Sequence, residues 1–310
     1  MKVSVIIPAY NAQKYLPLTL DSVLRQTFPD WQMVIVDDGS RDATGAIADA
    51  YAARDSRIQS VHQENHGLSA ARNRGFALSP PQAEGVIFLD ADDLWEPDLL
   101  SALIAALEAQ PACVGAYAVA RYIDGEGRAC RPGFLEDWVR ARRRVQGRRA
   151  VACRPEEPTA FDTLAVRQYV ATAGTLLLRR TALEAAGPFD EALNGCEDYD
   201  MWLRLTRFGA FAFVDRVLFG YRLHAGSLSD DRRAMHRTER DVRRKQIGSP
   251  ENTPQQKRIL VAGFRLQEWE SYRNRMRGAG GDLRRGRPSQ AARLFLYGQA
   301  NLLRSLHGRP

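Results

Sequence analysis

The sequence predicts an α/β fold: a mostly parallel central sheet with helices on both faces, followed by a helical tail. Two patterns point to it. Short β-branched or apolar runs alternate with helix-spaced stretches over about the first 110 residues, and each run stops at a Pro, Asp or Gly cluster. Size agrees: 310 residues with 45% hydrophobic content can bury a large core, which excludes a disordered, collagenous or disulfide-stapled chain.

The elements follow in order. Val3–Ile7, closed by Pro8, reads as a buried strand. Leu16, Leu20, Val23 and Leu24 recur at helical spacing, so residues 16–26 form a helix. Trp31–Val36 is a second strand, stopped by Asp37-Asp38-Gly39-Ser40, and Thr44–Arg54 a second helix. Ile58–His62 is a third strand and Leu68–Ala77 an Ala-rich helix. Gly85–Leu89 is a fourth strand, ended by Asp90-Ala91-Asp92-Asp93, and Pro97–Ala109 is a helix with Pro inside its first turn. Residues 111–123 suit another strand. Residues 124–168 suit loops and a short helix over the sheet, with a basic block at Arg140–Arg144 and Arg148–Arg149. Ala173–Leu178 reads as a strand, Arg180–Ala186 as a helix stopped by Gly187-Pro188, Asp198–Phe208 as a helix and Ala210–Leu218 as a strand. Beyond residue 230 a helical tail is expected, broken at Gly278–Gly281.

Charge is unevenly placed. Residues 1–120 hold 8 Lys and Arg against 15 Asp and Glu, a net −7; residues 121–310 hold 36 against 22, a net +14. An acidic front and a basic back suit several partners besides nucleic acid. The four cysteines, Cys113, Cys130, Cys153 and Cys196, show no C-x-x-C spacing and read as free thiols in a reducing compartment. The apolar run at the start is too short for a signal peptide, and no stretch approaches the roughly 20 apolar residues of a spanning helix. These features predict a cytoplasmic protein and leave open a loose contact with the inner face of the membrane.

In parallel sheets, chemistry gathers beyond the carboxyl ends of the strands, and there lie Pro8–Asn11, Asp37–Ser40 and Asp90–Asp93. Three carboxylates among Asp90, Asp92 and Asp93 repel one another unless a cation or hydrogen-bond donors offset them. Oxygen ligands of this kind suit Mg²⁺ or Mn²⁺; a solvated cap of the next helix is the plainer alternative. Asp37 and Asp38 can accept from a ribose or base, or simply form an Asx-turn. Glu197 and Asp198 open a helix, where acidic residues are favoured by the dipole, yet a carboxyl there is equally a candidate general base. Arg72 suits a phosphate, and a lone His such as His224 is more often a packing residue than a ligand. No G-x-G-x-x-G, Walker A, G-x-S-x-G or H-E-x-x-H element is present.

Together these blocks resemble the family 2 glycosyltransferases. The resemblance runs through Val5-Ile6-Ile7-Pro8-Ala9-Tyr10-Asn11, Val36-Asp37-Asp38-Gly39-Ser40, Asn65-His66-Gly67-Leu68-Ser69-Ala70-Ala71-Arg72-Asn73 and Phe88-Leu89-Asp90-Ala91-Asp92-Asp93. It continues through Gly187-Pro188-Phe189-Asp190-Glu191, Cys196-Glu197-Asp198-Tyr199-Asp200-Met201-Trp202-Leu203-Arg204 and Tyr221-Arg222-Leu223-His224, covering about residues 1–228 in order. It implies a GT-A fold: a catalytic domain over 1–230, with a nucleotide-binding half at 1–110 and an acceptor-binding half at 111–230, and a helical Arg-rich extension over 231–310. By resemblance, Pro8, Tyr10 and Asn11 line a base pocket, Asp38 holds the base or ribose, Arg72 sits near the nucleotide, and Asp90 with Ala91 lies near the ribose. Asp92 is the metal carboxylate, joined by His224. Asp198 is the general base with Glu197 beside it, and Tyr199 and Trp202 lie in the acceptor region.

The implied reaction moves a sugar from a UDP- or dTDP-sugar to a hydroxyl of a glycan or lipid-linked acceptor, with inversion and with Mn²⁺ or Mg²⁺. The basic block Arg140–Arg149 suits a phosphate-bearing acceptor or an anionic membrane surface. Mixed apolar and basic segments at Ala291–Tyr297 and Leu302–Arg304 suit a helix that packs on the domain, touches a membrane or forms a homodimer. Two competing readings are a sugar-phosphate nucleotidyltransferase, which would need a Gly-rich basic loop where Pro8–Asn11 stands, and a basic protein binding nucleic acid or a membrane surface. The arginines lie among acidic residues without a nucleic-acid module, so no nucleic-acid partner is expected.

Overall fold

The computed structural model describes residues 1–193, 195–224 and 232–284. The segments at 291–297 and 302–304 lie outside them. Eight strands among the described residues form one sheet. They are β1 Val3–Ala9, β2 Trp31–Asp38, β3 Ile58–Gln63, β4 Gly85–Phe88, β5 Leu94–Trp95, β6 Gly115–Ile123, β9 Leu176–Arg179 and β10 Phe211–Arg222, in the order β3-β2-β1-β4-β9-β6-β10-β5. The first four are mutually parallel, as are β6 and β10; β9 joins these two blocks antiparallel to both β4 and β6. β1 and β2 are buried along nearly their whole length, which explains why they read as continuous apolar runs rather than alternating ones.

The helices are α1 Leu16–Leu24, α2 Thr44–Ala52, α3 Leu68–Leu78, α4 Leu99–Ala109, α5 Phe134–Arg140, α6 Phe161–Val166, α7 Arg180–Ala186, α8 Glu197–Leu205, α9 Arg232–Gly248 and α10 Pro254–Arg284. α3 is weakly amphipathic and presses its small residues on the sheet. A Cβ on Gly75 would stand 2.4 Å from Ile6 Cγ2 and 3.3 Å from Val36 Cγ2.

Several sequence expectations are corrected. Pro97 lies ahead of α4, not in its first turn. The chain there is in a turn pinned from both sides, with the Glu96 N–H donating to the Leu218 carbonyl and the Pro97 carbonyl accepting from Thr27 N. The two-residue strand β5 is too short to show a period. Residues 124–168 contain, besides α5 and α6, a hairpin of β7 Arg143–Gln146 and β8 Arg149–Ala152. Its turn is Gly147-Arg148, with Gly147 at φ 60° supplying the left-handed position such a turn needs. The run of arginines hides the alternation of this hairpin. Ala173–Thr175 is a 3₁₀ turn leading into β9. α10 continues through Gly278–Gly281: each Gly weakens a helix by about 1 kcal/mol relative to Ala but blocks no hydrogen bond.

The chain divides into two compact units. The first comprises Met1–Arg142, Arg154–Ala160 and Tyr169–Val242; the second comprises Arg143–Cys153, Phe161–Gln168 and residues from Arg243 onward. The first holds 24 Lys and Arg against 32 Asp and Glu, a net −8. The second, counted to Arg284, holds 15 against 5, a net +10. The basic hairpin thus belongs with the tail. Within this second unit Arg243 donates to the terminal carbonyls of α6, Ala165 and Val166, at 2.6 and 3.1 Å. Glu270 of α10 pairs with Arg143 and Arg167. Gly263 lets α10 approach so closely that a Cβ there would lie 2.0 Å from the Ala165 carbonyl oxygen.

The close seat of α3 on the sheet yields a prediction. Gly75→Ala forces a methyl into Ile6, which is fixed in the buried β1. Equilibrium denaturation is expected to show a loss of about 1–3 kcal/mol; unchanged stability would mean that α3 shifts freely on β1.

Candidate active site

The predicted site residues lie in the first unit: those after β1, β4 and β10 and at the end of β2 sit at carboxyl ends of parallel strands, Arg72 on α3, and Glu197, Asp198, Tyr199 and Trp202 on α8. The loop after β1 is tied to the loop after β2. Asn11, at φ 47°, receives a hydrogen bond on Oδ1 from Arg41 N, while its own N–H donates to Ser40 Oγ, both at 2.9 Å. The Ala12 N–H donates to Thr44 Oγ1 at 2.7 Å. Pro8 is buried at the end of β1, and Tyr10 is left 50% exposed above it. Asp38, expected to face a nucleotide, instead organises its own loop. Its carboxylate accepts from Gln63 Nε2 at 2.7 Å, His66 N at 2.9 Å and Gly67 N at 2.8 Å. A buried carboxylate needs such donors, and here the backbone of 66–67 supplies two of them.

The acidic strand end after β4 splits into unlike roles. Asp93 is buried and points inward, accepting from Arg222 N at 2.9 Å; burial, then Asp92 and Asp90, push its carboxyl well above the usual range. Asp92 and Asp90 remain partly exposed. Asp92 Oδ2 lies 2.8 Å from His224 Nε2, and burial followed by the charge of Asp90 raises its pKa. Ala91 is buried between them. Arg222 fixes this turn from below. It is 1% exposed, donates through Nε to the Asp92 carbonyl at 2.6 Å and through one terminal nitrogen to the carbonyls of Asp124 and Gly125, both at 2.9 Å. Its guanidinium lies 4.7 Å from the Tyr15 ring centre, and the same ring meets His224 at 4.9 Å.

Arg72 links the two acidic groups. It is 2% exposed, too buried to be a surface phosphate clamp. Its terminal nitrogens donate to Asp90 Oδ1 at 2.7 Å and to Glu197 Oε1 at 2.6 Å. Burial opposes its charge, but Asp90 and Glu197 more than offset this and raise its pKa. The second oxygen of Asp90 accepts from Thr172 Oγ1 at 3.3 Å. Glu197 is therefore consumed as a counter-ion. Its neighbour Asp198 is half-buried and accepts from Tyr199 N at 2.6 Å. Burial and then Glu197 push the Asp198 carboxyl up to about 7, against the pull of Arg72.

Elsewhere the expectations fail for a plain reason. Tyr199 and Trp202 are fully buried on the inner side of α8, with Trp202 edge-on to Phe211, and offer no surface to an acceptor. Tyr199 is turned about 100° around the helix from Asp198, while Trp202 follows one turn further on, where α8 is covered by Phe211. The Gly187–Glu191 and Arg204 blocks are structural: Arg204 donates to the carbonyls of Ala186 and Pro188 at 2.5 and 2.8 Å, and Asn73 donates to the carbonyl of Phe189 at 3.0 Å. Sequence reasoning missed Arg222, Tyr15 and Thr172. Arg222 stood inside a quoted block next to His224; nothing in the sequence marked the other two.

Comparison with known proteins gives one consistent pattern. The family described as glycosyl transferase family 2 matches residues 4–183, more than half of the chain. Chondroitin synthase of Escherichia coli is 29% identical over 234 residues, 73% of this chain and 30% of that protein. Glycosyltransferase GlyA of Streptococcus pneumoniae is 44% identical over 102 residues, 33% of this chain and 14% of that one. The chain thus spans less than a third of either relative. Among solved structures, S. aureus TarS 1–349 in complex with UDP-GlcNAc has a TM-score of 0.66 at 19% identity, covering 98% of this chain and 89% of that one. Mannosyltransferase PcManGT from Pyrobaculum calidifontis, in complex with GDP-Man and Mn²⁺, has a TM-score of 0.64 at 18% identity, covering 100% and 88%. These likenesses establish the GT-A type of fold.

The carboxylate network makes stability depend on pH. Asp198 holds a proton up to about pH 7 that an unfolded Asp releases near pH 4, so its favourable contribution is complete below about 4 and lost as pH rises to about 7. Arg72→Met should cost about 3–5 kcal/mol, because it leaves the Glu197 and Asp90 carboxylates without their buried counter-ion. Urea denaturation checks this; an unchanged midpoint would show that the two ion pairs contribute nothing to stability.

Proposed function

The chain belongs to glycosyl transferase family 2, and from that premise we propose that it moves a sugar from a UDP- or dTDP-sugar to a hydroxyl of a glycan or lipid-linked acceptor, inverting the anomeric carbon. The observation that carries this reading is Asp198. It is a partly exposed carboxyl poised near neutrality, next to Glu197, which Arg72 ties to Asp90 at the strand end.

The chemistry follows from the residues. The acceptor oxygen attacks the anomeric carbon on the face opposite the diphosphate. The bond to the diphosphate oxygen breaks with its electron pair, and Asp198 takes the hydroxyl proton. Pro8, Tyr10 and Asn11 flank the base, with Tyr10 offering an exposed ring to it. Asp90 and Ala91 lie towards the ribose. Arg72 keeps Glu197 and Asp90 in place rather than touching phosphate, and Asp38 shapes the 63–67 loop beneath the nucleotide.

A divalent cation fits the donor set. Asp92 Oδ2 and His224 Nε2 already converge on one another at 2.8 Å, and a cation would replace that hydrogen bond. No group of three metal-type side chains is assembled among the described residues, so phosphate oxygens and water would complete the shell, as suits Mg²⁺ or Mn²⁺. When bound, such an ion neutralises charge growing on the leaving diphosphate. The Mn²⁺ of the PcManGT structure supports this reading, and the UDP-GlcNAc of the TarS complex supports the donor class.

No helix among the described residues is long and apolar enough to cross a membrane. The net +10 of the second unit, with Arg148, Arg149 and Val151 exposed on its hairpin, supports placing the enzyme at the anionic inner face of the cytoplasmic membrane.

The deciding experiment is calorimetric binding and slow hydrolysis of UDP-, dTDP- and GDP-sugars with and without Mn²⁺ or Mg²⁺. Binding of at least one sugar nucleotide in the presence of metal is expected, and binding of none would overturn the proposal. Asp198→Asn should lower transfer by about 10²–10⁴-fold and leave donor affinity intact; in the unaltered enzyme, kcat/KM should climb with pH through about 7 and level off above it, because the base must lose its proton. A pH-independent rate across 6–8, or an active Asn variant, removes Asp198 from the reaction.

A further inference from the structure

The first unit carries an aromatic strip that none of the roles above uses. It starts at Phe219 on β10, whose ring packs so closely on the 3₁₀ turn that a Cβ on Gly174 would stand 2.6 Å from it. Tyr221 follows two residues along the same strand and so on the same face. It meets Tyr122 of β6, its register partner, edge-on at 5.7 Å. Tyr122 in turn stacks on Phe134 at 6.0 Å and an interplanar angle of 29°. Phe134 opens α5, and Trp138 lies one turn on, on the same side of that helix. Trp138 approaches Tyr169 at 6.1 Å. Tyr169 stands three residues before Thr172, the residue that donates to Asp90. Both ends of the strip therefore return to the 172–175 turn that borders the candidate site.

Phe219 and Tyr169, its two ends, are buried, but the rings between them are not core. Phe134 is 59% exposed, and Tyr122, Trp138 and Tyr221 are each partly exposed. Large aromatic rings left in water beside a catalytic edge mark a binding surface. Flat rings that pair an apolar face with polar tips match a pyranose, whose axial C–H bonds stack on the ring while its hydroxyls stay wet. Tyr199 and Trp202 are buried, so the acceptor surface must be sought elsewhere. We propose that Phe134, Trp138, Tyr122 and Tyr221 form the acceptor subsite, stacking on the sugar rings of a glycan acceptor and delivering its hydroxyl towards Asp198. This rests on the glycosyltransferase reading.

The test uses the full chain and a panel of neutral di- to tetrasaccharides of glucose, galactose, mannose and N-acetylglucosamine. Ligand-detected saturation-transfer NMR reads binding without any turnover, and UDP-, dTDP- and GDP-sugar binding is measured on the same preparation. At least one saccharide is expected to bind, with saturation strongest on the ring C–H protons. Phe134→Ala should weaken that binding about tenfold, the loss of one stacked ring, with donor affinity unchanged. Phe208→Ala, which removes an exposed aromatic outside the strip, should leave saccharide binding unchanged. No saccharide binding by the unaltered chain, or equal binding by Phe134→Ala, overturns the proposal. Saccharide binding through Phe134 without any sugar-nucleotide binding keeps the carbohydrate subsite and overturns the transferase reading instead.

Discussion

One buried cation governs the geometry of this site. Arg72 sits on α3, Asp90 after β4 and Glu197 at the start of α8, and its two hydrogen bonds tie these elements across 125 residues of sequence. Neither carboxylate could be buried to this degree without a partner, nor could the guanidinium. The same network bears on Asp198: burial, then Glu197, raise its proton affinity towards neutrality and Arg72 opposes them. Glu197 thus serves Arg72 and Asp198 as a fixed neighbouring charge.

A second cation does for the acidic turn what Arg72 does for the base. Arg222 satisfies the carbonyls of Asp92, Asp124 and Gly125, while its backbone N–H meets the Asp93 carboxyl. Three carboxylates in four residues are tolerable because Asp93 is folded inward as an acceptor, Asp90 is paired with Arg72 and Asp92 meets His224. The acidic half of the molecule therefore supplies its own positive charges, deep and fixed, and the surface excess of arginine is segregated into the other unit.

Much of this was legible in the sequence, for identifiable reasons. The parallel strands announced themselves because burial on both faces makes a strand apolar throughout, and each ended in residues that break a strand. The carboxylates of the site were visible because acidic residues at strand ends are conspicuous. What stayed hidden depended on partners distant in sequence. Nothing local distinguishes an arginine facing phosphate from one sealed between two carboxylates, so Arg72 was assigned outward. Trp202 and Tyr199 looked available because they flank Asp198, yet both are sealed by packing that no local pattern of α8 reveals. The hairpin 143–152 was obscured because its arginines mask a period of two.

The sheet order has a consequence for how the molecule is made. β3, β2, β1 and β4 can pair as soon as residue 88 has been synthesised. β6 and β5 must wait: their neighbours in the sheet are β9 and β10, which end at residues 179 and 222. Pairings this far apart in sequence are slow to close. During that interval the apolar edges of β4 and β6 lack the strand that will lie between them, and α8 has not yet delivered Glu197 to Arg72. The parallel block of β1 to β4 is thus complete in sequence well before α8 supplies Glu197 to Arg72. A chain interrupted in that window exposes unpaired strand edges, which favour aggregation.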